Sequence, residues 1–121
     1  MSTIRPDELA ARLGDDGPFL LDIRPRKSYD DRRIEGSTNV PVYGDLRSGD
    51  EAALRDRLDE IPDDREVVTV CKQGVVAKRA TKILDDEGYD ATTLKGGMGG
   101  WHGYQHDTLG YKLRSLLWRL L

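Results

Sequence analysis

Four short apolar runs, each closed by turn-forming residues, restrict the fold of this chain more than any other feature: residues 19–23, 38–40, 67–70 and 91–94. They are rich in Val, Ile and Leu and mostly do not alternate with polar residues, which suits strands buried on both faces of a parallel sheet. Helical patterns separate them. Pro6 stands at a first helical turn, followed by Leu9, Ala10 and Leu13, with Gly14 as the stop. A second pattern carries Leu54, Leu58 and Ile61 and ends at Pro62. The clearest spans residues 75–87, with Val76, Ala77, Ala80, Ile83 and Leu84 on one face and Gly88 beyond its end. Strands alternating with helices in 121 residues predict one small α/β domain with a mostly parallel sheet. Sheets of this kind carry their sites at the carboxyl ends of the strands.

Cys71, the only cysteine, stands at such an end, directly after the apolar run 67–70 and directly before the clearest helix. A lone cysteine forms no internal disulfide, and His102 and His106 beside it make no convincing set of metal ligands, so a functional Cys71 acts as a thiol. A thiol attacks only as the thiolate, a form stabilised by helix N-termini, nearby cations and converging backbone N–H groups. The stretch Lys72-Gln73-Gly74 offers all three. Gly74 lets the chain curl so that the amides of residues 72–76 turn toward one centre, the helix adds its unpaired N–H groups, and Lys72 adds charge. The competing reading is a small hydrophobe at the end of a core strand.

Charge narrows the partners. The last eleven residues hold Lys112, Arg114 and Arg119 and no acid, which leaves −6 on residues 1–110 against −3 for the whole chain. An acidic body with doublets such as Asp15-Asp16 and Asp63-Asp64 argues against a nucleic-acid surface. No apolar run approaches the roughly 20 residues of a membrane span, and the N-terminal residues lack the order of a secretory signal, so a cytoplasmic location is expected.

Three stretches in order resemble the rhodanese-like (sulfurtransferase) family over nearly the whole chain. The first is Leu21-Asp-Ile-Arg24 through Tyr29, followed by Arg33-Ile-Glu-Gly-Ser-Thr-Asn-Val-Pro41; the second is Val70-Cys71-Lys-Gln-Gly-Val-Val76-Ala; the third is Leu94-Lys-Gly-Gly-Met-Gly-Gly-Trp101. The resemblance implies an about five-stranded, mostly parallel sheet with helices on both faces. It also implies that Cys71 takes sulfur from a small sulfane donor, thiosulfate or similar, as a persulfide. A thiol, cyanide or a protein acceptor then receives that sulfur. Lys72, Gln73, Gly74, Val75 and Val76 would form the cradling loop, with neither metal nor organic cofactor. Asp22 and Arg24 are candidates for support of the loop, or for bracing of the sheet edge. Related phosphatases place an arginine six residues after the cysteine, where this chain has Ala77. Arg33 replaces a common His, Val76 replaces a polar residue, and Gln73 replaces one of two basic residues of the thiosulfate-using enzymes, leaving one cation at the loop. The alternative to a turnover enzyme is a sulfur-relay or protein-binding module.

Trp101 is expected to plug the core. Residues 1–105 then form the rhodanese-like domain and 106–121 a C-terminal amphipathic helix, with Leu109, Leu113, Leu116, Leu117 and Leu120 on one face. The stripe is expected to dock on the domain or on a second copy; a basic helix resting on an anionic membrane, with Trp118 as anchor, is the other reading.

Overall fold

The computed structural model describes residues 2–106 and 109–121. Five strands form one parallel sheet in the order β1-β5-β4-β2-β3: β1 Ser2–Ile4, β2 Phe19–Asp22, β3 Thr38–Asn39, β4 Val67–Val70 and β5 Ala91–Leu94. The four expected strands are present, 19–23 and 38–40 each ending one residue earlier than the pattern suggests. The strand absent from the sequence reading is β1. It is three residues long with only Ile4 buried, too short for a periodicity to register.

The strand side chains divide into two cores. Leu21, Val67 and Cys71 face α3 (Tyr43–Arg47), α4 (Ala52–Arg55) and α5 (Ala77–Asp86), together with Leu46, Leu54, Ala80 and Leu84. Leu20, Val68, Val70 and Leu94 face α1 (Pro6–Ala10) and α6 (Gly97–Gln105), with Leu9, Met98 and Trp101. Trp101 is a core plug, as expected. Successive β4 residues thus alternate between two covered faces, which explains a run with no charged residue and three valines in four positions. A short helix α2 (Arg26–Asp31) carries no buried residue and left no pattern to read.

One polar seam runs through the first core. The Thr69 and Thr81 hydroxyls are 2.8 Å apart and those of Thr81 and Thr93 2.7 Å, while Thr69 also donates to the Ala77 carbonyl at 3.2 Å. Buried hydroxyls in the interior cost free energy unless paired, so this chain of bonds fixes α5 in register over β4 and β5. It thereby fixes the first turn of α5 relative to Cys71.

The C-terminal helix α7 (Leu109–Leu120) corrects one expectation. Leu109, Leu113, Leu116, Leu117 and Leu120 do not dock on the domain; all are exposed. The helix packs through its opposite face, where Tyr111 and Ser115 are buried and Trp118 lies edge-on to Tyr111. Tyr111 donates to Asp7 at 3.1 Å and stacks edge-to-face on Tyr104, and Arg119 reaches the same carboxylate at 3.8 Å. An aromatic face holds α7 because Tyr and Trp bury large area and can still satisfy a polar tip. Trp118 is therefore a packing residue against the domain, not an outward anchor. His106 caps the C-terminus of α6, and residues 107 and 108 of the expected extension lie outside those described. No helix among the described residues is long and apolar enough to cross a membrane.

Candidate functional site around Cys71

Cys71 follows the last residue of β4 and points to the α5 side, where it is 1 % exposed. Two backbone N–H groups donate to its Sγ: Gly74 at 3.1 Å and Ala77 at 3.4 Å. Gly74 adopts φ +82°, and a Cβ there would sit 2.9 Å from the Gly96 nitrogen, so only glycine allows both the turn and the close approach. Ala77 is the first residue of α5, which has no capping side chain. The sulfur occupies the place of a cap at the positive end of that helix.

The loop's carbonyls are held away from the sulfur by a second helix. Met98 N–H donates to the Cys71 carbonyl at 2.8 Å and Gly99 N–H to the Lys72 carbonyl at 3.0 Å, both from the first turn of α6. Such amides lack partners inside their own helix, so binding loop carbonyls satisfies both ends. This contact requires Gly97, whose Cβ would fall 2.3 Å from the Cys71 carbonyl oxygen. The Gly-rich stretch before Trp101 is the backrest of the cysteine loop.

The remaining loop residues divide by exposure. Lys72, Gln73 and Val75 face solvent, while Val76 is buried against the core and also lines the site. A cleft of about 430 Å³ opens at Cys71, walled by Tyr43, Arg47, Lys72, Gln73, Val76 and Arg79. Arg79 extends from α5 and donates to the carbonyls of Leu46 at 2.7 Å and Arg47 at 3.0 Å, closing the end of α3. Lys72 is the one cation of the loop itself, and Arg47 and Arg79 add two more to the cleft from α3 and α5. Tyr43 and Arg47 share a helix face at i, i+4, a signal lost because the five-residue α3 was not recognised.

Asp22 and Arg24 lie at the end of the neighbouring strand and bind each other. The Asp22 carboxylate accepts from Arg24 Nε at 3.0 Å, Nη2 at 2.8 Å and the Arg24 backbone N–H at 3.0 Å. Arg24 Nη2 also donates to the Arg32 carbonyl at 2.6 Å, and Asn39 Nδ2 ties the Asp22 and Arg24 carbonyls at 3.0 and 2.9 Å. Tyr29 donates to the Ser37 carbonyl at 2.5 Å, and Arg33 lies over the Tyr29 ring. This motif is a brace at the sheet edge, touching the site only where Arg24 lines an adjoining cleft with Lys72 and Gln73.

His102 and His106 stack with ring centroids 4.3 Å apart, but Arg32 Nη1 lies 2.8 Å from His102 Nδ1. A guanidinium only donates, so that nitrogen accepts. Desolvation, then the charges of Arg32 and His106, push the His102 imidazole below its ordinary pKa. Among the described residues no three metal-ligating side chains cluster.

Comparison with known proteins gives these residues a context. The family model described as "Rhodanese-like domain" matches residues 5–104. Adenylyltransferase and sulfurtransferase UBA4 of Candida glabrata is 34% identical over 90 residues, which is 73% of this chain and 20% of that protein. The chain spans about a fifth of that relative's length. The putative sulfurtransferase YtwF of Bacillus subtilis is 28% identical over 89 residues, covering 74% of this chain and 78% of that one. A rhodanese-related protein of Thermoplasma volcanium superposes with TM-score 0.72 at 19% identity, over 86% and 93% of the two chains, a likeness of fold.

Proposed function

The chain belongs to the rhodanese-like domain family, and from that premise we propose that it is a sulfurtransferase that carries sulfur on Cys71. The observation that carries this reading is the pair of N–H groups aimed at Sγ, with a cationic cleft opening beside it. The Cys71 thiolate attacks the outer sulfur of a sulfane donor such as thiosulfate. The donor's S–S bond breaks, sulfite leaves with the electron pair, and Cys71 holds a persulfide. An acceptor thiolate, or cyanide, then attacks the terminal sulfur, and the electron pair of the broken bond returns to Sγ. Oriented backbone dipoles stabilise the anion on sulfur in both half-reactions without reorganising. Arg47, Lys72 and Arg79 favour an anionic donor.

The loop residues Lys72 to Val76 divide the work. Gly74 donates to sulfur, Val76 anchors the loop in the core, and Lys72 and Gln73 meet the donor at the rim. Asp22 and Arg24 act by holding the sheet edge and not by contact with sulfur. A relay function, in which a protein thiol delivers or receives the sulfur, is a second reading favoured by the solvent-facing Lys72, Gln73 and Val75. Initial-rate measurement of thiocyanate formation from thiosulfate and cyanide separates the two. Parallel double-reciprocal lines, lost in Cys71→Ser, are expected of the enzyme. Stoichiometric loading with no turnover of small acceptors points to relay, and a Cys71→Ser variant as active as wild type removes both.

A further inference from the structure

Helix α7 lies beyond the residues that match the family, yet it lines a cleft together with Gln73, Gly74 and Val75 of the cysteine loop. The Trp118 ring comes within 3.3 Å of where a Cβ on Gly96 would stand, and Lys95 Nζ lies 5.9 Å from the ring centroid. Held this way, Trp118 and Arg114 become one wall of a cleft of about 450 Å³ whose other walls include Gln73, Val75, Lys78 and Lys95. Among the described residues no carboxylate lines this cleft, although the chain as a whole is acidic. Three cations against none is the reverse of the chain's net charge of −3, and a concave site of one sign concentrates counter-charged ligands. Its volume lies in the range of small-molecule sites.

Gln73 and Val75 line both this cleft and the one that opens at Cys71, so the two share a rim. Thiosulfate is small enough to be held by the Cys71 cleft with its own Arg47, Lys72 and Arg79. A ligand that needs both clefts is larger, with a reactive end at Cys71 and an anionic body beyond Gln73.

We propose that α7 completes a binding cleft for the sulfur acceptor, a small thiol carrying two or more negative charges as carboxylates or phosphate, with Lys78, Lys95 and Arg114 holding the charges. The inference rests on the sulfur-transfer reading above. The acceptor thiolate attacks the terminal sulfur of the Cys71 persulfide, the Sγ–S bond breaks with its electron pair left on Sγ, and the acceptor departs as its own persulfide. Trp118 lies against the ligand body. Gln73, at the shared rim, separates the donor's position from the acceptor's.

The test uses the full chain and has two arms. In the first, persulfide-loaded protein transfers to mercaptosuccinate, 2-mercaptoethyl phosphate and neutral 2-mercaptoethanol. The Lys95→Gln/Arg114→Gln variant is expected to lose about fivefold or more of the preference for an anionic thiol over the neutral one, and high salt to reduce that preference in wild type. Which anionic thiol is preferred separates carboxylate from phosphate recognition. In the second arm, succinate and ethyl phosphate are titrated into Cys71→Ser while Trp fluorescence is followed, with Trp118→Phe to assign the signal. Saturable quenching, weakened in the same double variant, supports the cleft independently of any chemistry. No saturable signal from either anion, or equal loss toward all three thiols, overturns this inference and leaves sulfur transfer standing. Binding without transfer from the loaded protein to any of the three thiols overturns the acceptor role and leaves relay standing, whereas a protein that takes up no sulfur on Cys71 overturns sulfur transfer itself.

Discussion

Two polar clusters stand side by side on the carboxyl edge of the sheet, and they use their polarity in opposite ways. At the ends of β2 and β3, the Asp22 and Arg24 side chains satisfy each other and the Arg32 carbonyl, and Asn39 Nδ2 ties their backbone while its Oδ1 is buried without a partner among the described residues. At the end of β4 the amides of Gly74, in the loop, and Ala77, at the start of α5, converge on one sulfur, while Lys72 and Gln73 face solvent. The first cluster holds the more strongly charged groups, a buried carboxylate and a buried guanidinium, and bracing is one role the sequence itself suggests for them. Groups that satisfy each other in the free protein hold shape; groups directed at a position where charge develops do chemistry.

The largest expected effect comes from breaking the brace. Asp22→Ala leaves the Arg24 guanidinium buried without its carboxylate, since both side chains are nearly inaccessible. A loss of about 3–5 kcal/mol in urea unfolding is expected. A loss below about 1 kcal/mol would place Arg24 in solvent exchange and dissolve the contrast drawn above.

The next is aimed at the loop's backrest. Gly97→Ala introduces a Cβ 2.3 Å from the Cys71 carbonyl and must push loop and α6 apart. Sulfur-transfer kcat/KM is expected to fall about 100-fold, as for other displacements of about 1 Å at a reacting centre. Unchanged kcat/KM in a folded variant would mean that α6 does not position the loop.

Smaller effects test the rim. Gln73→Lys restores a second cation within the loop, next to Lys72, and should raise kcat/KM for thiosulfate about two- to fivefold, an increase abolished by high salt. If thiosulfate turnover falls instead, Gln73 contributes a hydrogen bond that outweighs charge.

The smallest effect concerns the tie between α7 and the domain, a more exposed counterpart of the Asp22 brace. Burial raises the Asp7 carboxyl, but hydrogen bonds from Arg5 and Tyr111 outweigh it and hold the group below its ordinary range. Its contribution is therefore present above the unfolded pKa and lost as pH falls through the folded one. Burial and then Asp7 raise the Tyr111 phenol, so its contribution is present below its unfolded pKa and lost as pH rises through the folded one. Trp118 fluorescence should be flat near neutrality and change at both extremes. Asp7→Asn should remove the acid limb, and an acid limb that persists in that variant would assign it elsewhere.

Much of this was legible in the sequence, for physical reasons. β4 and β5 are buried on both faces and show it as short runs of Val, Ala, Leu and Thr without a charged residue, and α5 shows its buried face and its Gly88 stop. The loop was legible because a glycine among polar residues directly after a buried strand marks a turn that other residues resist, and Gly74 has φ +82°. What was hidden was what packing decides. α6 holds Gly97, Gly99, Gly100 and Gly103, a composition poor in helix propensity, and forms because it docks on the loop carbonyls. α7 shows two faces in sequence, and the leucine stripe is the more hydrophobic, but the aromatic face has the complementary surface. Arg47 and Arg79 reach the Cys71 cleft from segments whose proximity only the fold creates.

The central claim is that Cys71 carries the sulfur, and intact mass spectrometry tests it most directly. Protein incubated with thiosulfate, or with a persulfide donor, is predicted to gain the mass of one sulfur, to lose it on adding cyanide or dithiothreitol, and to gain nothing as Cys71→Ser. Folded wild-type protein that takes up no sulfur from any sulfane donor, or a Cys71→Ser variant that takes it up equally, would contradict the account.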